Sequence, residues 1–331
     1  MMHANITMLS RRTALIGGVC AALGLGGTAR VLGQPAGGSS ASTRVPRNET
    51  DWARMGVSLR GATALVTGST DGLGKELARQ LGALGAFVIV HGRNEERGAE
   101  VVQSIRAAGP GDAVFYRADF GSLAAVRSFA DHVRSRHERL ELLVNNAAAT
   151  GAGGERRTSA DGHELAFAVN YLSHFLLTHE LLPLLERSAP ARIVNVSSMG
   201  QAPIDFDDVM MKRSYNSGDA YRRSKLAQIM FTIDLAAKLD PAKITVTSVH
   251  PARSMNTPRV LNGGFQPLST VEEGAESVMQ LAVSPEVKGV TGVYFNQLNE
   301  APANPQAYDA AARARLWALS EALTGLAART G

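Results

Sequence analysis

The run Thr67-Gly-Ser-Thr-Asp-Gly-Leu-Gly74 constrains this chain more than any other segment. It continues an apolar, strand-like stretch, Ala62–Thr67, and opens an amphipathic one, Leu73–Leu84, so it reads as a strand-to-helix turn. Glycines at 68, 72 and 74 let the backbone turn tightly and approach a ligand closely, and the helix N-terminus offers unpaired N–H groups with positive dipole character. A pyrophosphate suits such a cradle. Gly68, Ser69, Thr70, Asp71, Gly72, Leu73 and Gly74 are therefore candidate cofactor-binding residues, although a ligand-free glycine loop has the same local spelling.

The remaining chain supplies the context. Strand-like runs at Ala62–Thr67, Phe87–His91, Ala113–Arg117, Leu140–Asn145, Ala191–Ser197, Ile244–His250 and Val293–Asn296 alternate with helical patterns. The helices fall near Leu73–Leu84, Glu95–Ala107, Leu123–His137, Glu164–Arg187, Tyr221–Leu239, Val271–Val283 and Asn304–Leu323. Alternation of this kind predicts an α/β fold, a single doubly wound Rossmann-type domain over residues 46–331. Right-handed crossovers place about seven parallel strands in the order 3-2-1-4-5-6-7 with helices on both faces. An apolar content of 45% supports an ordinary packed interior, and with Cys20 the only cysteine no disulfide supports it.

Tyr221 and Lys225 carry the chemistry. A phenol titrates near about 10, so it is a poor acid or base at neutral pH unless a cation stabilises its anion. Lys225 lies one helical turn on and is placed to be that cation. At the end of the second strand, Val88-Ile-Val-His-Gly-Arg-Asn94 presents no carboxylate to bond a ribose 2′-hydroxyl. Arg93 is suited instead to a 2′-phosphate, which predicts NADP rather than NAD.

Together the motifs resemble the short-chain dehydrogenase/reductase family, whose turn reads Thr-Gly-x-x-x-Gly-x-Gly. The resemblance continues through Ala118-Asp-Phe120, Asn145-Asn-Ala-Ala148, Val169-Asn-Tyr171, Asn195-Val-Ser-Ser198, Tyr221-Arg-Arg-Ser-Lys225 and His250-Pro-Ala252. Ile204-Asp-Phe-Asp-Asp208 with Arg213-Ser-Tyr215 is similar to the retinol dehydrogenase-like branch. The resemblance implies hydride transfer between nicotinamide C4 and a carbonyl or alcohol carbon, with Tyr221 as general acid or base. It implies that Lys225 bonds the nicotinamide ribose, that Ser198 rather than Ser197 bonds the reacting oxygen, and that Asn170 bends its helix and holds a water leading to Lys225. Asp119 and Phe120 would flank the adenine, and Asn146 would contact the adenosine-side ribose or backbone. Two departures stand out: Ala148 and Ala252 occupy positions where the family usually has glycine, which bears on the loop from Arg253 to Phe265. A catalytically idle NAD(P)-binding regulator on the same fold is the alternative, but such proteins generally lose the tyrosine or lysine.

Residues 1–45 form a different object. Ser10-Arg-Arg-Thr13 precedes a glycine- and alanine-rich apolar run ending at Arg30 and resembles a twin-arginine export signal, which predicts periplasmic delivery, with a cytoplasmic enzyme as the alternative. The run is too short and glycine-rich for a membrane span, which needs about 20 strongly apolar residues. The formal charge of +4 includes leader arginines, and no basic cluster is interleaved with aromatics, so nucleic acid is not an expected partner. His174 and His179 do not form a metal pair, and no metal is expected. His250 reads as packed, and Met210, Met211 and Met255 as core or as the wall of an apolar cleft. A small alcohol, aldehyde or ketone is the expected substrate, and a homo-oligomer is compatible with the sequence.

Overall fold

Alternate residues of the central strands bury against opposite faces of one sheet. In the computed structural model, which describes residues 45–149, 154–262, 264 and 266–326, the seven expected strands all form. They are β1 (Thr63–Val66), β2 (Phe87–Gly92), β3 (Asp112–Arg117), β4 (Leu142–Asn145), β5 (Ala191–Val196), β6 (Ile244–His250) and β7 (Val293–Asn296). They pair in parallel in the order β3-β2-β1-β4-β5-β6-β7. An eighth strand, β8 (Asn299–Glu300), turns back antiparallel on β7. Two polar residues show no period, so the sequence pattern did not reveal it.

Around the sheet lie α1 (Glu49–Arg54), α2 (Gly72–Ala83), α3 (Glu95–Ala108), α4 (Leu123–Arg136), α5 (Leu165–Phe167), α6 (Ser173–Arg187), α7 (Ser217–Lys238), α8 (Pro258–Asn262), α9 (Val271–Val283) and α10 (Ala310–Thr324). Leu65, Ile89, Leu143, Ile193 and Val246 pack with α4, α6, α7 and α10. Ala64, Val66, Val88, Val90, Leu142, Val144 and Val194 pack with α1, α2, α3 and α9 on the other side. Both faces being covered explains why the strands read as continuous apolar runs. β1 lies between β2 and β4, so the strand order reverses beside its C-terminal end and a crevice opens there.

Four departures from the sequence pattern stand out, three of them beside that crevice. The expected helix Glu164–Arg187 is interrupted by a π-helical turn at Ala168–Leu172, and Asn170 sits inside it. The helix carrying Tyr221 begins earlier than expected, at Ser217, because the side chain of Asn216 accepts the N–H of Asp219 and caps it. The loop after β6 contains the short helix α8, and α1 is an added helix whose capping box joins Asn48 to Asp51 and whose Trp52 is fully buried. The expected leader lies outside the described residues, apart from Val45. Among those described, no helix is long and apolar enough to cross a membrane.

Candidate active site

The C-terminal ends of the strands on either side of β1 open into a cleft of about 1450 Å³. Every candidate site residue lines it except Ser69 and Asn170. The turn after β1 is shaped for close backbone approach. Gly68 has φ +63°, and a Cβ there would come within 2.8 Å of Ala147 Cα. At Gly74 a Cβ would lie 2.2 Å from the Gly68 carbonyl oxygen, so the first turn of α2 rests directly on the loop. Asp71 caps α2 by accepting the Gly72 N–H at 2.7 Å, and its other carboxylate oxygen lies 3.1 Å from Arg97.

Buried polar groups hold this turn from below. Thr67 Oγ1 accepts the N–H groups of Asn146 and Ala147 at 2.8 and 2.9 Å and donates toward Val144 O at 3.3 Å, which ties the end of β1 to the end of β4. Ser69 is buried behind the turn, where its hydroxyl donates to Val66 O at 2.7 Å and accepts the His91 N–H. Asn146 Nδ2 donates to the carbonyls of Thr67 and Gly68, so its side chain secures the loop itself. The Gly68 N–H donates to His91 Nδ1 at 3.0 Å, and that contact requires a neutral ring. Burial supplies one, bringing the His91 pKa down to about 4. Phe120 reaches the cleft wall, but its ring stacks on His91 at 4.0 Å within the core. Thr67 and His91 were missed by sequence reasoning. Their position at strand ends beside the glycine turn was the available signal.

Ser198, Tyr221 and Lys225 line the same cleft. Ser198 Oγ accepts the Gly200 N–H at 3.0 Å, whereas the neighbouring Ser197 hydroxyl donates to the Lys225 carbonyl at 2.7 Å. Lys225 is 2% exposed; its ammonium donates to Val196 O and Gln228 Oε1, both at 2.8 Å, and lies 5.6 Å from the centre of the Tyr221 ring. Asn170 stands behind the wall. Its Oδ1 accepts the Ala149 N–H at 2.7 Å and its Nδ2 donates to Ser224, so the π turn braces the loop after β4 against α7.

At the mouth, Arg93 is exposed on the wall, and among the described residues no carboxylate pairs with it. Asp119 is exposed nearby, its Oδ1 accepting the Gly121 N–H at 2.9 Å. A dinucleotide fits these residues: the cradle is one that a single Cβ would fill, and the N-terminus of α2 faces it.

The family model described as short chain dehydrogenase matches residues 62–260. The chain belongs to the short-chain dehydrogenase family. It is 37% identical over 303 residues to human retinol dehydrogenase 14, covering 81% of this chain and 88% of that one. Human retinol dehydrogenase 13 is 36% identical over 286 residues, with 81% and 86% covered. Among solved structures, an uncharacterised protein from Mycobacterium Paratuberculosis superposes with a TM-score of 0.69 at 28% identity, over 85% of this chain and 98% of that one. The Pseudomonas aeruginosa RhlG/NADP active-site complex gives 0.59 at 29% identity, over 72% and 95%.

As a short-chain dehydrogenase the chain is an oxidoreductase with a nucleotide cofactor, and its two alanine departures can be located. Ala148 and Ala252 both line the cleft, and neither has a positive φ, so neither position needs glycine's conformational freedom. The loop that follows is unusual elsewhere: Ser254 has φ +42°, and Leu268 N–H returns to its carbonyl at 3.0 Å. This brings Thr257 over the glycine turn, within 3.1 Å of where a Gly72 Cβ would be. Sequence reasoning missed Thr257 as a wall residue. Of the three methionines considered for an apolar cleft, Met255 lines it, while Met210 packs against the core and Met211 is buried beside Ala166 and Ala220. His250 is both buried and at the cleft wall, with its pKa brought down to about 4 by burial and then by the charge of Arg253.

Proposed function

We propose that this chain is an NADP(H)-dependent alcohol dehydrogenase or carbonyl reductase with Tyr221 as its general acid and base. The observation that carries the reading is the convergence of Ser198, Tyr221 and Lys225 on one cleft with the glycine turn. When bound, the nicotinamide supplies or accepts the hydride. The residues of this chain manage the proton and the oxygen. Tyr221 donates its hydroxyl proton to the carbonyl oxygen in reduction and recovers it in oxidation. The Lys225 ammonium, fixed by Val196 O and Gln228 Oε1, stabilises the phenolate that reduction leaves behind. Ser198 Oγ already accepts from Gly200, so its own hydrogen is the one offered to the substrate oxygen as charge develops.

Arg93 is the proposed partner of the cofactor's 2′-phosphate, and its place at the mouth without a carboxylate supports NADP over NAD. The similar RhlG/NADP complex supports the same choice. The substrate is a moderately apolar alcohol, aldehyde or ketone: Ala148, Val169, Ala252, Met255 and Val260 line the cleft, and the relatives are named retinol dehydrogenases. Export through Arg11 and Arg12 completes the proposal and would carry the folded chain with its cofactor.

The test is Tyr221→Phe, assayed with NADPH and a panel of carbonyl compounds by nicotinamide absorbance. Turnover is expected to fall by about 10²-fold or more with NADPH affinity nearly unchanged. Turnover within a few-fold of the parent would remove Tyr221 from the mechanism.

A further inference from the structure

Two buried polar side chains stand between the lysine and the glycine turn, and the chemistry above does not use the link they form. Lys225 Nζ donates to Gln228 Oε1 at 2.8 Å, Gln228 Nε2 is 3.1 Å from His174 Nδ1, and His174 Nε2 is 3.3 Å from Thr67 Oγ1. All four residues are at most 2% exposed. An ammonium has only hydrogens to give, so Gln228 must present its oxygen to Lys225 and its NH₂ to His174. His174 Nδ1 faces that NH₂, and its Nε2 faces Thr67 Oγ1. The ring is held neutral first by burial and then by the charge of Lys225 on α7, against a bond to the Asn170 backbone that favours the protonated ring. Thr67 in turn carries the N–H groups of Asn146 and Ala147. The four side chains form one continuous buried row from the lysine to the end of β1. Turning the Gln228 amide would set its hydrogens against the Lys225 ammonium at a buried position.

We propose that Gln228 and His174 are positioning residues of the active site: the row they form fixes Lys225 Nζ relative to Thr67 and so keeps the proton-delivering pair in register with the dinucleotide cradle. The proposal rests on the roles given above to Tyr221 and Lys225. It differs from ordinary core packing in what it couples. A core row would affect folding alone, whereas a positioning row affects cofactor affinity and the ionisation of Tyr221 together. Neither residue touches the cleft, so both act only through their neighbours.

The test uses the full chain with Gln228→Met, which keeps length and loses the hydrogen bonds, and with His174→Phe as a second variant. NADPH is titrated calorimetrically, and the pH profile of kcat is recorded with the best carbonyl compound of the panel. Each variant is expected to weaken NADPH by about tenfold and to move the tyrosine's ionisation in the profile up by about one pH unit. The double variant is expected to lose little more than either single one, because one break already severs the row. Parental NADPH affinity in a folded Gln228→Met or His174→Phe chain overturns the proposal, and the calorimetric arm needs no substrate. Failure of both variants to fold assigns the row to the core and overturns it as well. Should Tyr221→Phe be inactive while these variants behave as the parent, only this inference fails; should Tyr221→Phe turn over, the proposed function itself fails.

Discussion

Lowering the pH from 7 to 5 is expected to cost the folded chain about 4 kcal/mol through two buried histidines. Burial brings His91 from an ordinary 6.5 down to about 4 and His174 to about 3. The unfolded chain takes up a proton at each site below 6.5, and the folded chain does not until those lower values are reached. Between them the unfolded state binds more protons, so stability is fully present above the unfolded value and is lost as the pH falls. Each proton is worth about 1.4 kcal/mol per pH unit at full slope, and integration from pH 7 to 5 gives about 2 kcal/mol per histidine. That is a large share of a typical stability of about 5–15 kcal/mol. His250, also brought down to about 4, shifts the same way and adds a similar share. His179 and His137, also lowered by burial, add to it. The carboxylates held low by arginine bonds, Glu49 beside Arg79 and Asp112 beside Arg106, lose their contribution only as the pH falls below their ordinary range of 4.5 and 3.8. Urea unfolding followed by far-ultraviolet circular dichroism at pH 7, 6, 5.5 and 5 and constant ionic strength measures the slope. His91→Phe is expected to flatten it by one proton's worth. A slope below about 1.4 kcal/mol per unit between pH 6 and 5 would refute the reasoning, since fewer than one proton would then separate the two states.

Three further outcomes are expected. Arg93→Ala should weaken NADPH binding by about 10- to 100-fold and leave NADH unchanged, because a charge-assisted pair contributes roughly 1.5–3 kcal/mol; equal effects on both cofactors would take Arg93 out of the site. Gly74→Ala forces a methyl to within 2.2 Å of the Gly68 carbonyl, so α2 must shift away from the turn. Its expected cost is about 1–3 kcal/mol of stability, with NADPH binding lost by at least about tenfold, and a binding isotherm like the parent's would contradict the close approach. In the native host, the Arg11→Lys, Arg12→Lys double variant should stay in the cytoplasm while the parent is recovered from the periplasm, shortened at its N-terminus and still carrying nucleotide; identical distribution of the two would reject export.

Much of the fold was legible because it depends on local patterns. Apolar runs with glycine punctuation marked the parallel strands, and right-handed crossovers left one economical order for them. The spacing of Gly68, Gly72 and Gly74 needed only the adjoining strand and helix to read as a cradle, and Tyr221 and Lys225 needed only one helical turn. The tertiary structure decided where side chains that are distant in sequence point. Ser69 and Asn146 bond backbone carbonyls of the turn and its strand. Phe120 turns to His91, and Asn170 ties Ala149 to Ser224 from within a π turn that no periodicity announced. The row from Lys225 through Gln228 and His174 to Thr67 joins α7, α6 and the end of β1. Such links were hidden because a sequence pattern records which face of an element is apolar, whereas a buried polar group takes its role from the partner that packing brings to it.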